Sequence, residues 1–253
     1  MKIEEIVNGE NLKSLADVVI DVDTVGQSRD FDGAKIVFCK TDLLNVLFSE
    51  LTEFNGELTL ITHLSDHSIT ESLFNSRPKC VKKWFAQNAD YQHEDLIPVP
   101  IGIENHKGPS KGTCIDLDFI KNELDSLKDY TKAVSIYVNF ADTNPSRAEI
   151  RNVLMCDLRA DFAANKKYGE YFNDLAQHMF VASPRGNGID CHRTWEALLV
   201  WSIPIVDRHF MYDKWNIPVI QVDYWSDLGN LKRPKDSSMH ALYMDYWREK
   251  IRG

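Results

Sequence analysis

One segment in the second half of the chain combines glycines, arginines and carboxylates at spacings suited to binding phosphate. It runs from Ser183 to Glu196 and reads SPRGNGIDCHRTWE. Its glycines let the backbone turn and approach a ligand closely. A helix predicted to begin near Asp190 would direct free N–H groups into the same space, and Arg185 and Arg193 would add paired donors for a diphosphate. The segment therefore indicates a phosphate-binding loop.

The same helix has ordinary interpretations that stay open at this point. Asp190, Arg193 and Glu196 are spaced by three, so they lie toward one face, where Glu196 would accept hydrogen bonds from ribose hydroxyls. Alternatively, Asp190 is only a helix N-cap, and Arg193 and Glu196 form a surface ion pair. A single glycine-rich turn before a helix is a weak signal by itself.

Together with the residues that follow it, up to Val206, this segment resembles the donor-binding signature of exostosin-like glycosyltransferases. That signature joins S/C-P-R-G, a polar loop, R-x-x-E-A and I-P-V/I-V, and this chain has SPRG, RTWEA and IPIV in that order. The resemblance implies a GT-B fold, in which two Rossmann-like domains face each other across a cleft. It also implies a hexosyl- or pentosyltransferase that uses a nucleotide sugar, generally UDP-linked. Such enzymes usually invert the anomeric centre and need no metal or other cofactor.

The resemblance also implies which residues bind the donor. Arg185 and Arg193 would contact the diphosphate and Glu196 the ribose, while Asn139 and Arg147 lie at and beyond the preceding strand end, where that family's second domain also faces the donor. For Arg147 the alternative is a first-turn helix residue that faces solvent. The predicted donor-binding set is Asn139, Arg147, Ser183, Arg185, Gly186, Asn187, Gly188, Asp190, Arg193 and Glu196.

An inverting transferase needs a general base that takes the proton of the acceptor hydroxyl. The segment 61–68 follows the most apolar strand of the first half and places Asp66 in one loop with His63 and His67. Asp66 is the predicted base, and its alternative is an Asx-turn or a cap for a helix over 69–74. His63 would orient a phosphate or the acceptor, or it is simply a solvated loop histidine.

Other polar residues at predicted strand ends extend this acceptor side. Asp42 follows a strand and is the second candidate for the base, and Glu104 is a candidate for contact with a glycan acceptor. No further ligand joins the histidines and Asp66, so no metal site is predicted there. Asp21 and Asp23 form a D-x-D pattern, which we interpret as a strand end rather than as the metal motif of the GT-A fold.

The elements that must position these residues form an α/β pattern, because short apolar runs alternate with helical periodicity. The polar stretch 103–112 predicts a linker. It divides an acceptor-side Rossmann-like domain, 1–112, from a nucleotide-sugar-binding one, 113–253, whose tail helix packs back. Predicted strands are 17–20, 34–39, 58–62, 81–85, 96–100, 133–139, 179–182, 203–207 and 218–223, and predicted helices are 119–127, 147–155, 169–178, 190–201 and 239–251.

Composition excludes several classes of protein. The 253 residues carry a net charge of −9, which disfavours binding to nucleic acid. The five cysteines contain no C-x-x-C pair, so we expect neither a disulfide framework nor a zinc knuckle, and a reducing compartment. The start lacks a signal-peptide pattern, and the longest apolar stretch, 197–206, is too short to span a bilayer. We therefore expect a soluble cytoplasmic protein without a transmembrane segment.

Two other functions remain open at this stage. A nucleotide-sugar epimerase or hydrolase of the same fold would act on the donor alone, and it would need a second acid/base group. A non-catalytic nucleotide- or glycan-binding module would keep the fold without the reaction. Consumption of a nucleotide sugar without any acceptor would favour the epimerase or hydrolase, and failure to bind any nucleotide would favour the non-catalytic module.

Overall fold

The first half of the chain forms a parallel sheet whose strands follow one another in sequence order. The computed structural model describes residues 5–104, 126–127 and 130–253. The strands of the first sheet are paired in the order β1-β2-β3-β4-β5. They are β1 Val18–Ile20, β2 Ile36–Lys40, β3 Leu58–His63, β4 Val81–Ala86 and β5 Leu96–Pro98.

Short helices connect some of these strands. Helix α1 is Gly9–Lys13, α2 is Leu44–Glu50 after the 3-10 turn Thr41–Leu43, and α3 is Glu71–Asn75. The side chain of Asn8 caps α1 by accepting the N–H of Asn11 at 2.8 Å. Side-chain caps of this kind satisfy N–H groups that the first helical turn leaves open.

The second sheet is also parallel, but its strand order reverses. Its strands are β6 Ala133–Val138, β7 Ala160–Phe162, β8 His178–Ala182, β9 Ile203–Asp207 and β10 Ile220–Val222. They are paired in the order β10-β9-β8-β6-β7, so the chain leaves β6 on one side and returns to β8 on the other. The crevice beyond the carboxyl ends of two such strands is the usual ligand site in open α/β sheets. The first sheet has no such reversal.

Five further helices are described in the second half of the chain. They are α4 Pro145–Leu154, α5 Tyr168–Gln177, α6 His192–Leu199, α7 Phe210–Trp215 and α8 Met244–Arg252, the last after the 3-10 turn His240–Leu242. Pro145 starts α4 because proline suits the first helical turn. Helix α6 begins after Cys191, whose φ of −132° is extended, and Trp201 beyond its end adopts a left-handed φ of 63°. It is therefore shorter than the predicted 190–201.

The two halves share one core. A single cluster of buried apolar side chains continues from the first sheet into the second half. Within it, the rings of Trp195 and Trp215 meet edge to face at 5.2 Å, and the Trp215 indole N–H donates to the Pro98 carbonyl at 2.9 Å. The tail also returns to the first half, where the N–H of Val7 donates to the Leu242 carbonyl at 2.9 Å. The halves are thus packed together rather than joined by a linker alone.

The predicted fold class is confirmed as a mixed α/β protein with two parallel sheets, an arrangement compatible with two Rossmann-like domains. Each predicted strand is present with bounds shifted by a few residues. Strand β7 was missed because it has three residues, lies at a sheet edge and has an exposed Phe162. The predicted helix 119–127 lies outside the described residues except for Ser126 and Leu127, which are helical, and the domain boundary at 112 also lies outside them.

No helix within residues 5–104, 126–127 and 130–253 has both the length and the apolar character needed to cross a membrane.

Candidate functional site

Two cavities adjoin one another at the carboxyl ends of the strands. The first-sheet cavity has a volume of about 600 Å³, and its walls include Lys40, Asp42, His63, His67 and Gln87. The second-sheet cavity has a volume of about 490 Å³, and its walls include Asn139, Arg147, Tyr168, Tyr171, Arg193 and Glu196. Five residues line both cavities, and we call them the junction: Asp66, Ile101, Glu104, Asn187 and His192.

Arg147 holds the loop between β8 and α6, residues 183–191, in place. Its side chain is buried, and protein atoms accept hydrogen bonds from all three of its nitrogens. The acceptors are the carbonyls of Ala141, Pro184 and Arg185 at 2.9, 2.9 and 2.8 Å, Thr143 Oγ1 at 3.0 Å and Cys191 Sγ at 3.4 Å. These five bonds occupy all five N–H groups of the guanidinium. The solvent-facing alternative is therefore wrong, and Arg147 positions the loop while it lines the cavity.

Asn88 fixes the same loop from the first half of the chain. Its Oδ1 accepts the N–H groups of Ile189 and Asp190 at 3.0 and 3.1 Å. A Cβ at position 188 would lie 2.7 Å from Asn88 Nδ2, so only glycine permits this approach. The expectation that the N–H of Asp190 would be free for a ligand is wrong, because Asn88 has taken it.

Asp190 is a buried bridge between the halves. Its Oδ2 accepts the Ile101 N–H at 2.9 Å and the Trp195 indole N–H at 2.7 Å, and its Oδ1 accepts the Cys191 N–H at 2.9 Å. The N-cap of α6 is Cys191, so the simple N-cap alternative for Asp190 is wrong. Burial raises the pKa of Asp190 to about 6, although these three hydrogen bonds oppose the rise.

Arg193 and Glu196 lie in the second-sheet cavity without forming an ion pair. Glu196 is buried and accepts the Tyr171 hydroxyl at 2.7 Å; burial raises its pKa, against the opposing effect of that bond and of nearby Arg193. No ion pair joins Arg193 to an acidic residue in the described part of the chain, and its buried Nε has no hydrogen-bond partner there. The surface ion pair considered from the sequence is therefore wrong.

The remaining wall of this cavity is aromatic and polar. The rings of Tyr168 and Tyr171 lie 6.2 Å apart on α5. Asn139 donates to the Tyr137 hydroxyl at 2.9 Å, and that hydroxyl donates to Asp174 at 3.1 Å. This chain of bonds fixes the Asn139 side chain at the end of β6, beside the reversal point of the sheet.

Two predicted donor-binding residues lie outside both cavities. Ser183 is buried, and its hydroxyl is 2.9 Å from Thr194 Oγ1. Arg185 is exposed, and its backbone N–H donates to Asp207 at 2.7 Å. The second-sheet cavity brings the other predicted donor-binding residues together: Asn139, Arg147, Gly186, Asn187, Gly188, Asp190, Arg193 and Glu196.

His63 ends β3 and is fully buried in the wall of the first-sheet cavity. Its Nε2 lies 3.0 Å from the Pro100 carbonyl, which can only accept, so the proton is on Nε2. Its Nδ1 is buried without a hydrogen-bond partner in the described residues. Burial lowers the pKa of His63 to about 4, so the ring is neutral. The solvated-loop alternative is wrong.

Asp42 stands at the rim of this cavity in a small charged cluster. It forms an ion pair with Lys40, and its Oδ1 lies 3.5 Å from Nε2 of His67. Partial burial alone would raise the pKa of Asp42, but hydrogen bonds from Lys40 and Ser65 lower it overall. An ion-paired carboxylate with a lowered pKa is a poor proton acceptor, which weakens Asp42 as a candidate base.

Asp66 lies at the junction, in the loop between β3 and α3, residues 64–70. It is exposed and makes no hydrogen bond or ion pair with the described residues. Thr70 caps α3 by accepting the Leu73 N–H at 3.4 Å, so the helix-cap alternative for Asp66 is wrong. Opposite it, Glu104 Oε2 lies 3.6 Å from Nε2 of His192.

Within the ranges that the structure describes, no three His, Cys, Asp or Glu side chains are grouped so that they could hold a metal ion. Asp21 closes the turn after β1, where its Oδ1 accepts the N–H groups of Asp23 and Thr24 at 3.0 and 3.1 Å. Lys13 Nζ pairs with Asp21 at 3.1 Å. This geometry matches the strand-end interpretation of the D-x-D pattern.

Sequence reasoning missed several residues of the site. His192 lies within the segment 183–196, but its ring is oriented by the Gly102 carbonyl, which is 90 positions away in the sequence. Tyr171 and Asn88 carry no motif, and they reach the site through contacts with Glu196 and the β8–α6 loop. A local pattern contains no signal for such long-range contacts.

No protein-family model matches this chain, and no curated protein matches it. The geometry of the two cavities and of their junction therefore carries the functional interpretation.

Proposed function

We propose that this protein is a glycosyltransferase with a GT-B-like arrangement. The second-sheet cavity holds a nucleotide sugar, the first-sheet cavity holds a glycan acceptor, and the sugar is transferred at the junction. The observation that carries the proposal is Arg193, which lines the cavity beside the reversal point of the second sheet and whose buried Nε has no hydrogen-bond partner among the described residues. Arg193 is half-buried, and an Nε–H that is buried without an acceptor costs free energy, which an anionic ligand would offset.

A diphosphate fits the wall next to Arg193. The glycines of the β8–α6 loop, Gly186 and Gly188, line the cavity. Arg147 fixes the loop by donating hydrogen bonds to two of its carbonyls. The first turn of α6 faces the same space, and a helix N-terminus favours negative charge. Arg193 would therefore stabilise the departing nucleoside diphosphate as the bond to the sugar breaks.

The nucleoside would lie farther along the same cavity. Glu196 keeps lone pairs beyond the bond that it accepts from Tyr171, and a carboxylate suits the paired hydroxyls of ribose. The Tyr168 ring offers an apolar surface for a base. UDP is the nucleotide that the resemblance implies.

The junction favours a transferase over the alternatives. A hydrolase or epimerase that acts on the donor alone needs no second cavity, whereas here a cavity of about 600 Å³ adjoins the donor side. An acceptor hydroxyl entering from that cavity would attack the anomeric carbon from the side opposite the diphosphate, which gives inversion. We propose that the reaction needs no resident metal, with Arg193 and the α6 terminus facing the diphosphate.

The compartment is part of the proposal. The four cysteines within the described residues, Cys39, Cys80, Cys156 and Cys191, are unpaired. Free thiols fit a reducing compartment, and we infer that the protein acts in the cytoplasm.

The test measures release of UDP from a panel of UDP-hexoses, UDP-pentoses and UDP-N-acetylhexosamines, with and without oligosaccharide acceptors. We expect release from one donor that an acceptor accelerates, and Arg193→Met should slow it by about 100-fold or more. Arg151→Met is the matched control, because Arg151 lies on α4 and lines neither cavity.

The other outcomes separate the alternatives. Release that no acceptor accelerates would favour the hydrolase, and an isomerised nucleotide sugar would favour the epimerase. Nucleotide binding without consumption of any donor would favour the binding module and contradict the transferase.

A further inference from the structure

We propose that His192 is the general base of the transfer reaction and that Glu104 stabilises the imidazolium formed when it takes the proton. The inference rests on the proposed function, because a proton acceptor at the junction has a role only if a hydroxyl attacks there. Asp66, the base expected from the sequence, becomes a neighbour of the reaction rather than its proton acceptor.

His192 lies where the two cavities meet. It opens α6, directly after the β8–α6 loop, and it lines both cavities. The exposed fraction of its side chain is 26%, so a ligand can reach the ring. A group that takes a proton from an acceptor hydroxyl must lie where the two substrates meet, and the junction is that place.

The Gly102 carbonyl fixes the tautomer of His192. His192 Nδ1 lies 2.7 Å from the Gly102 carbonyl, which accepts only, so Nδ1 carries the proton. In the neutral ring the lone pair is then on Nε2, which is the nitrogen that lies toward Glu104. A carbonyl that holds one ring nitrogen fixes both the orientation of a histidine and the nitrogen that acts as base.

The backbone at Gly102 is built for this contact. Its φ is +70°, and a Cβ there would lie 2.0 Å from the Val7 carbonyl oxygen, so a side chain is excluded. The Val7 carbonyl in turn accepts the Ile103 N–H at 3.1 Å. The carbonyl that orients His192 is therefore held by the packed N-terminal segment.

Charged groups surround the His192 ring. Glu104, 3.6 Å away, favours the imidazolium once it forms. The charged and titratable groups that face His192 come from four segments, and they are Glu104, Asp66, His63, Asp190, Arg193 and Glu196.

The proposed step balances. The acceptor O–H gives its proton to His192 Nε2 while its oxygen forms a bond to the anomeric carbon. The bond between that carbon and the diphosphate oxygen breaks, and the nucleoside diphosphate leaves with the electron pair. His192 then returns the proton to solvent. Asp66 lacks any group in the described residues that would orient it, so it suits this task less well.

The experiment compares His192→Asn, Asp66→Asn and the wild-type full chain. Asparagine can place an amide N–H near the position of Nδ1 and so keep the bond to Gly102, but it offers no base. UDP release from the UDP-sugar panel reports the reaction, and calorimetry with UDP reports binding. His240→Asn is the control, because His240 is exposed on the 3-10 turn before α8 and lines neither cavity.

We expect His192→Asn to slow UDP release by about 100-fold or more while UDP binding changes less than threefold. The wild-type rate should fall as the pH falls, because protonation removes the lone pair, and the residual rate of the variant should lose that dependence. Asp66→Asn should retain at least a tenth of the rate. Glu104→Gln should slow the reaction less than His192→Asn and shift the acid limb of the pH profile to lower pH.

Two results would overturn the inference while the transferase proposal stands. One is a His192→Asn protein that keeps a tenth or more of the wild-type rate, and the other is a nitrogen NMR spectrum that places the His192 proton on Nε2. A wild-type protein that consumes none of the UDP sugars would instead overturn the transferase and the base together. The two cases are distinguishable, because the wild-type protein consumes a UDP sugar in the first case and none in the second.

Discussion

The two loops that meet at the junction differ in how their polar side chains are held. The β8–α6 loop is tied from three directions, by the Arg147 guanidinium, by Asn88 and by the buried Asp190 carboxylate. The β3–α3 loop facing it is also tied, because its Ser65 carbonyl accepts a hydrogen bond from Asn88 at 3.3 Å, but its Asp66 side chain is exposed. Buried side chains therefore hold the second-sheet side of the junction in place before any ligand arrives, which is what the proposed stabilisation of developing charge requires.

Arg147 should give the largest loss of stability in this comparison. Arg147→Met leaves several buried carbonyls of the loop without donors, and we expect the free energy of unfolding to fall by about 4 kcal/mol. Urea denaturation measures it. Arg151→Met on the same helix removes a half-buried guanidinium that donates to Asp142 at 2.7 Å and to the Phe140 carbonyl at 2.6 Å, and it should cost about 2 kcal/mol, less than Arg147→Met. Equal losses in the two variants would mean that Arg147 does not tie the loop.

The pH dependence of stability should separate the buried His63 from exposed histidines. The pKa of His63 falls from 6.5 to about 4 on folding, so the unfolded chain binds its proton first as the pH drops. Stability is therefore lost between pH 6.5 and pH 4, by about 3 kcal/mol at 1.36 kcal/mol per pKa unit.

His63→Gln should lack this loss, and His240→Gln should keep it. The measurement is urea unfolding at pH 7.5, 6, 5 and 4, each protein being compared with itself at pH 7.5. Asp190 contributes with the opposite sign, because its raised pKa stabilises the folded state as the pH falls from 6. That contribution is present in every one of these proteins and cancels in the comparison. Parallel curves for His63→Gln and wild type would contradict a neutral buried His63.

Asn88 should give an intermediate effect. Asn88→Ala leaves two N–H groups of the β8–α6 loop without a partner and places alanine at a φ of 53°, so we expect a loss of about 2 kcal/mol. Asn165→Ala is a close control, because Asn165 also has a φ of 53° but is exposed. If both variants lose the same stability in urea, the backbone conformation alone accounts for the effect.

Asp66 should give the smallest effect on folding. Asp66→Asn changes an exposed side chain with no partner in the described residues, so we expect a change in unfolding free energy below about 0.5 kcal/mol. Asp190→Asn should cost several times more, because an amide cannot accept all three of the bonds that Asp190 accepts. A large loss for Asp66→Asn in the same urea experiment would contradict the unbonded state of the Asp66 side chain.

The fold was more predictable from the sequence than the site. Parallel strands leave apolar runs such as 203–207, which are visible in any window of a few residues. The segment 183–196 is visible in the sequence for the same reason, because its glycines and charged residues lie close together along the chain. The contacts that fix the role of each residue come from distant parts of the chain. Arg147 reaches Arg185 across 38 positions and Asn88 reaches Ile189 across 101, and no spacing rule connects residues so far apart.

The most direct test of the central claim is calorimetric binding of UDP, GDP, CDP and ADP, without added metal, to the wild type, Arg193→Met and Glu196→Gln. We predict that one nucleotide, UDP, binds the wild type and that each substitution weakens it at least tenfold, about 1.4 kcal/mol. Arg193→Met should not lower the free energy of unfolding, because its buried Nε has no hydrogen bond with the described residues to lose and the substitution removes an unsatisfied N–H. Absence of binding by every nucleotide, or equal affinity in all three proteins, would contradict a nucleotide-sugar site in the second-sheet cavity.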